Sequence, residues 1–170
     1  TANATGALKL VGEAYPFAAG GQYLLTFDNH NSVNGIREFA RSKGAVTTYV
    51  PVRAPELRID DGYLSACLER VQPGSNNLFA YPAQSNFSGV QHDLKWVSQA
   101  QGAAWDVLLD AAAFVSTNRL DLSRWHPDFV PVSFYKMFGY PTGVGCLLVR
   151  RTALAKLRRP WFAGGTITIA

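Results

Sequence analysis

Lys136 stands just past Phe129-Val130-Pro131-Val132-Ser133, and Asp110 closes Val107-Leu108-Leu109, so each ionisable group follows a short apolar run. In an α/β sheet ligands lie beyond the carboxyl ends of the strands, which makes such positions candidates for chemistry. An amine there can bond to a carbonyl carbon. A carboxylate there is costly to bury unless something cationic faces it. Three more places share the pattern. Asp28-Asn29-His30-Asn31 follows the run near Leu25, and Gln84-Ser85-Asn86-Phe87-Ser88-Gly89 follows Leu78-Phe79-Ala80-Tyr81. At the opening turn, backbone N–H groups around Ala4 and Thr5 begin a helix and can bind a phosphate.

Taken singly, each residue has an ordinary explanation. From spacing alone Asp110 fits a helix cap or an Arg salt bridge as well as a ligand role. Lys136, one of five lysines, would be a turn lysine if it did not follow a strand and precede the glycine-rich Gly139-Tyr140-Pro141-Thr142-Gly143-Val144-Gly145. His30 reads equally as a loop histidine bonded to its neighbours. No HxH or HExxH spacing supports zinc, and His92 and His126 sit in polar loops without a pattern. A G-x-S-x-G elbow, a GxGxxG fingerprint and a Walker loop are all missing. Pyridoxal phosphate would use the candidate places together. It needs a lysine to hold it as a Schiff base, a carboxylate to keep its ring nitrogen protonated, and N–H and hydroxyl donors for its phosphate.

The elements that must position these groups alternate along the chain. A helix through Tyr15, a strand at Tyr23 to Phe27, a helix from about Val33 to Ser42 and a strand at Ala45 to Val50 come first. A helix then runs from Asp60-Asp61-Gly62 to Val71, followed by a strand at Asn77 to Tyr81 and a helix at Leu94 to Gln101. Strands at Trp105 to Leu109, Phe129 to Ser133 and Gly143 to Val149 complete the pattern, the last two close enough to pair antiparallel. Strands of this kind predict an α/β, three-layer sandwich with a mostly parallel central sheet.

At 170 residues, 48% hydrophobic and 16% charged, the chain is long enough for one domain with a sizeable core. Its apolar runs are strand-length, far short of the roughly 20 residues of a membrane span. The net charge of +4 does not indicate nucleic acid, because Arg and Lys are scattered apart from Arg150, Arg151, Lys156, Arg158 and Arg159, read as a solvated helix face. Cys67 and Cys146 make neither a metal pair nor a disulfide framework and read as small core residues, so a reducing cytoplasm is the expected compartment. The chain opens without Met in a polar turn and stops in Gly164-Gly165-Thr166-Ile167-Thr168-Ile169-Ala170, and it reads as a fragment.

Thr1-Ala2-Asn3-Ala4-Thr5, Asp28-Asn29-His30-Asn31-Ser32-Val33 with Gly35-Ile36-Arg37-Glu38, Gln84 to Gly89, Leu108-Leu109-Asp110-Ala111-Ala112, and Ser133-Phe134-Tyr135-Lys136 with Phe138 to Gly143 resemble, in order, the class V aminotransferases of the fold type I pyridoxal-phosphate enzymes. Within that family they look most like the amino-terminal domain of the molybdenum cofactor sulfurases. The resemblance implies that residues 1–170 are most of the cofactor-binding large domain, incomplete at both ends, with an amino-terminal segment and a carboxy-terminal small domain absent. It also implies that Lys136 carries pyridoxal 5'-phosphate, that Asp110 pairs with the ring nitrogen, and that His30 stacks on the ring. Asn86 falls near the ring hydroxyl, while Ala4, Thr5 and Ser133 fall at the phosphate. Thr142 or Thr166 would add a phosphate contact across a dimer interface. Ala113 stands where cysteine desulfurases carry Gln, and Tyr135 where they carry His, and the second departure matches the sulfurase-like subgroup.

The implied activity is C–S cleavage of L-cysteine through an external aldimine, with Lys136 and His30 catalytic, in a full-length homodimer that acts on a small amino acid. Other class V reactions, such as transamination, epimerisation or another lyase step, and a non-catalytic truncated homologue are the alternatives. The cysteine that would receive sulfur is not identifiable in this sequence, nor is an Arg for the substrate carboxylate.

Overall fold

Alternate residues of one strand face opposite ways, so a strand as apolar as Leu78-Phe79-Ala80-Tyr81 needs cover on both sides. The computed structural model, which describes residues 1–72, 74–139 and 142–158, provides it. In chain order the elements are α1 (Ala4–Ala14), β1 (Gln22–Thr26), α2 (Asn31–Asn34), α3 (Ile36–Ser42), β2 (Val46–Val50), β3 (Val52–Arg53), β4 (Arg58–Ile59) and α4 (Asp61–Leu68). There follow β5 (Asn77–Pro82), α5 (Lys95–Gly102), β6 (Asp106–Asp110), β7 (Phe129–Ser133), α6 (Tyr135–Phe138), β8 (Gly145–Val149) and α7 (Arg151–Leu154).

Six strands form one sheet in the order β2-β1-β5-β6-β7-β8. All neighbours run parallel except β8, which pairs antiparallel with β7 from Phe129↔Val149 to Ser133↔Gly145. On one face Leu24, Phe79, Val107 and Leu109 pack with Leu64 of α4 and Trp96 of α5. On the other, Tyr23, Leu25, Leu78 and Leu108 pack with Leu8 of α1 and Ile36 of α3. The expected three-layer α/β architecture is therefore present, with its antiparallel member where the sequence places it. Among the described residues no helix is long and apolar enough to cross a membrane.

After β1 the chain moves outward to β2, then returns to the opposite side of β1 for β5. That reversal opens a crevice at the carboxyl ends of the strands, where ligands of open α/β sheets bind. A second feature lies between β6 and β7. Pro131, in the middle of β7, has no N–H to donate, and the registered pairing of these strands is confined to Leu108↔Phe129. Asp110 and Ser133, at the two carboxyl ends, lie beyond that pair.

Several expectations need correction. The helix foreseen from Val33 to Ser42 is two helices: the His30 side chain caps the backbone N–H of Ser32, which starts α2 at Asn31, and Gly35 separates it from α3. The helix foreseen to Val71 ends at Leu68. The hairpin β3–β4 was not foreseen, because strands of two residues carry no periodicity. Of the late basic residues Arg151 and Arg158 are exposed, but Arg150 and Lys156 do not belong to a solvated helix face. Arg150 lies 3.3 Å from Asp128 and Lys156 2.7 Å from Asp106, both buried carboxylates that need a cation, while Arg159 is outside the described residues. Cys67 is buried in the core as expected, but Cys146 is only half-buried.

The start of α1 is seated on β8 by a close approach. Gly145 donates its N–H to the carbonyl of Thr1 at 2.7 Å, and a Cβ at Gly145 would sit 2.7 Å from Cα of Asn3 and 2.7 Å from the Val132 carbonyl. All of those neighbours are backbone, which cannot move aside cheaply. Gly145→Ala is therefore expected to destabilise the protein by about 1–3 kcal/mol, the usual cost of forced overpacking. Urea unfolding of the two proteins checks this, and an unchanged midpoint would show that α1 shifts freely on β8.

Candidate functional site

The four ends that meet at one place are those of β6, β7, the β1 loop and α1. Asp110, Ser133 and Lys136, His30, and Ala4 with Thr5 line a single cleft of about 80 Å³. Asn86 does not line it. It is exposed and borders an adjoining cleft of about 910 Å³, which shares His30 and is walled by Phe27, Tyr49 and Phe87. Thr166 lies outside the described residues, and Thr142 is exposed.

Asp110 is 7% exposed. One oxygen, Oδ1, accepts the N–H of Ala112 at 3.0 Å; Oδ2 has no hydrogen-bond partner among the described residues. Burial pushes the carboxyl up, while the Ala112 N–H and the neighbouring Lys136 and His30 pull it back, and the net position remains above the ordinary carboxylate value. Oδ2 is thus open to an N–H or cationic donor of a ligand in the cleft.

Ser133 carries the connection from β7 to α1. Its Oγ accepts the N–H of Ala4 at 2.8 Å, joining residues 129 apart in sequence. In the same turn Asn3 caps the helix by accepting the Gly6 N–H at 2.9 Å, and its carbonyl accepts the N–H of Ala7. The N–H of Thr5 has no such partner among the described residues. It is thus the free donor of the first turn, at the positive end of an eleven-residue helix.

His30 is held by Ser32, two residues on. Its Nδ1 accepts the backbone N–H of Ser32 at 3.2 Å and lies 2.6 Å from the Ser32 hydroxyl. An acceptor role at Nδ1 leaves the proton of a neutral ring on Nε2. Ser32, which also lines the small cleft, escaped the sequence reading, although a Ser two residues after a loop histidine at a helix start is a readable capping signal. Tyr135 lines the cleft beside Lys136.

The arrangement offers an amine, a buried carboxylate with a free oxygen, an imidazole and a helix N-terminus in one cleft. A planar cationic ring bearing a carbonyl and a phosphate matches this donor set, because Oδ2 of Asp110 lacks the N–H that such a ring carries.

A family model described as aminotransferase class-V matches residues 1–169. The molybdenum cofactor sulfurase of Homo sapiens is 42% identical over 187 residues, covering 98% of this chain and 20% of that protein. The molybdenum cofactor sulfurase of Solanum lycopersicum is 38% identical over 199 residues, covering 100% and 24%. This chain therefore spans about a fifth to a quarter of the length of these relatives. The apo structure of a cysteine desulfurase from Thermococcus onnurineus NA1 superposes with a TM-score of 0.85 at 23% identity, over 98% of this chain and 41% of that one, and shares the fold.

Proposed function

The chain belongs to the aminotransferase class V family, and on that premise we propose that it is most of the cofactor-binding domain of a pyridoxal-phosphate-dependent C–S lyase acting on L-cysteine, similar to the molybdenum cofactor sulfurases. The observation that carries the proposal is the buried Asp110 carboxylate with Oδ2 unpartnered in the cleft that Lys136 and His30 share.

When bound, the cofactor supplies an electron sink for charge at the substrate Cα. The residues of this chain do the rest. Nζ of Lys136 would hold the cofactor covalently and, as a free amine, would move the proton at the substrate Cα. Asp110 would keep the ring nitrogen protonated through Oδ2. His30 would lie on the ring with its Nε2 proton available to the leaving sulfur. Ser133 and the N–H of Thr5 would hold the phosphate, with Ala4 fixing the Ser133 hydroxyl through its own N–H, and Asn86 would reach toward the ring hydroxyl from the adjoining cleft.

L-cysteine and an enzyme thiol then give alanine and a persulfide, the sulfur passing to the thiol and its proton to the substrate carbon. Neither Cys67, buried in α4, nor Cys146, within β8, is assigned as that thiol. A homodimer of the full-length protein belongs to the same proposal. The test is to incubate the full-length protein and pyridoxal phosphate with L-cysteine and dithiothreitol and measure sulfide and alanine. Equal amounts of both are expected. Pyruvate and ammonia beside the sulfide in place of alanine, or an exchanged amino group without sulfide, would instead indicate another class V reaction.

A further inference from the structure

Asp28 and His92 form a buried pair that none of these roles uses. Asp28 sits two residues before His30 on the loop after β1, and His92 ends the segment after β5 that carries Asn86. Their side chains are 5% and 2% exposed, and Oδ2 of Asp28 meets Nε2 of His92 at 2.8 Å. The imidazole also stacks on the Trp96 indole, with centroids 5.2 Å apart and planes 25° from parallel. Burial pushes the Asp28 carboxyl up, but the hydrogen bond and charge of His92, with the Thr26 hydroxyl and the residue's own N–H, hold it below the ordinary carboxylate value.

Further bonds fasten the same two loops. Ser85 donates its hydroxyl to the Asp28 carbonyl at 3.3 Å while accepting the N–H groups of Phe87 and Ser88, two and three residues on. Asn29 donates to the carbonyl of Ala80 in β5 at 3.2 Å, and His92 donates its backbone N–H to the Ala83 carbonyl at 3.1 Å. The loop that ends in His30 and the loop that carries Asn86 are thereby bound to each other. Apolar side chains would give cohesion there at no desolvation cost; a buried hydrogen-bonded polar pair gives direction instead.

We infer that Asp28 and His92 are positioning residues, a fixed strut between the two loops that sets His30 and Asn86 against the bound cofactor. The inference rests on the pyridoxal-phosphate reading.

The test compares the full-length wild type with His92→Phe, which keeps a flat ring on Trp96 but removes the donor, and His92→Gln, whose amide N–H replaces Nε2. In the apoprotein, His92→Phe should speed amide hydrogen exchange in both 28–34 and 84–92. With pyridoxal phosphate added, it should weaken binding by about 10–100-fold, the usual effect of losing an orienting contact behind a ligand shell, and shift the visible band. His92→Gln should recover most of both. If His92→Phe fails to fold, Asp28→Asn carries the same expectations at smaller size. Wild-type affinity and band position in His92→Phe, even with a lower melting temperature, would overturn the inference and leave the cofactor reading standing. So would a Gln variant as impaired as the Phe variant. Should the wild type itself take up no pyridoxal phosphate, the cofactor reading falls first and the inference with it.

Discussion

Full-length protein carrying Lys136→Ala is expected to lose the visible, borohydride-reducible band that the wild type shows with pyridoxal phosphate, and to lose at least roughly 10²- to 10⁴-fold in turnover, the usual worth of one positioned proton-transfer group. The variant should fold. Lys136 is only half-buried in the short helix α6, its amine holds no hydrogen bond among the described residues, and Ala suits a helix well. Its electrostatic consequence is separate from its covalent one. Removing the Lys136 charge takes away one of the influences that hold Asp110 down, so the carboxyl should rise further. Lys136→Arg separates the two effects. It restores a permanent charge beside Asp110 but cannot form the covalent link, so it too should show no reducible band. The measurement is absorbance before and after borohydride, with mass spectrometry of the reduced protein. A stable adduct on another lysine in Lys136→Ala would show that the amine in this cleft is not the one that holds the cofactor.

The parts of this site that could be read from the sequence are those encoded by one element and the residue that follows it. Asp110 and Ser133 end apolar strands, Lys136 comes one helical turn later, and Ala4 and Thr5 begin a helix, so the rule that ligands gather at carboxyl strand ends and helix N-termini finds them all. What the sequence hides is pairing across distance. Asp28 and His92 are 64 residues apart, and nothing near His92 distinguishes it from a solvated loop histidine until Trp96 and Asp28 are folded onto it. Lys156 is hidden for the same reason: its partner Asp106, which also accepts the Tyr15 hydroxyl, begins a strand 50 residues earlier. Asn86 shows the opposite case. Its place after β5 is readable, but the turn set by Ser85 leaves it at the adjoining cleft, away from the cleft that holds Asp110.

Asp110→Asn isolates what a protein gives up to hold a site in readiness. Because burial raises the Asp110 carboxyl, the folded apoprotein binds this proton more tightly than the unfolded chain does. The corresponding stability is complete below the unfolded value of about 3.9 and is lost as pH rises through the higher folded value. Above that folded value wild-type apoprotein therefore carries the cost of a largely buried carboxylate whose Oδ2 has no protein partner among the described residues. Asn keeps the shape and the bond from the Ala112 N–H but has no charge to bury. Its apoprotein should melt above the wild type at pH 7, and the two curves should converge as pH falls toward 4. Binding reverses the order. With pyridoxal phosphate the wild-type carboxylate would gain the ring N–H and be stabilised by the ligand, whereas an amide would not keep that nitrogen protonated. Turnover of Asp110→Asn should fall on the order of 10²- to 10³-fold, the scale of deleting one preorganised electrostatic contact, with the reducible band retained. Thermal scans of apo and loaded protein across pH, run beside the activity assay, read both halves. An Asn variant less stable than the wild type as apoprotein at neutral pH would mean that the carboxylate is already satisfied by the protein and holds no place for a ring nitrogen.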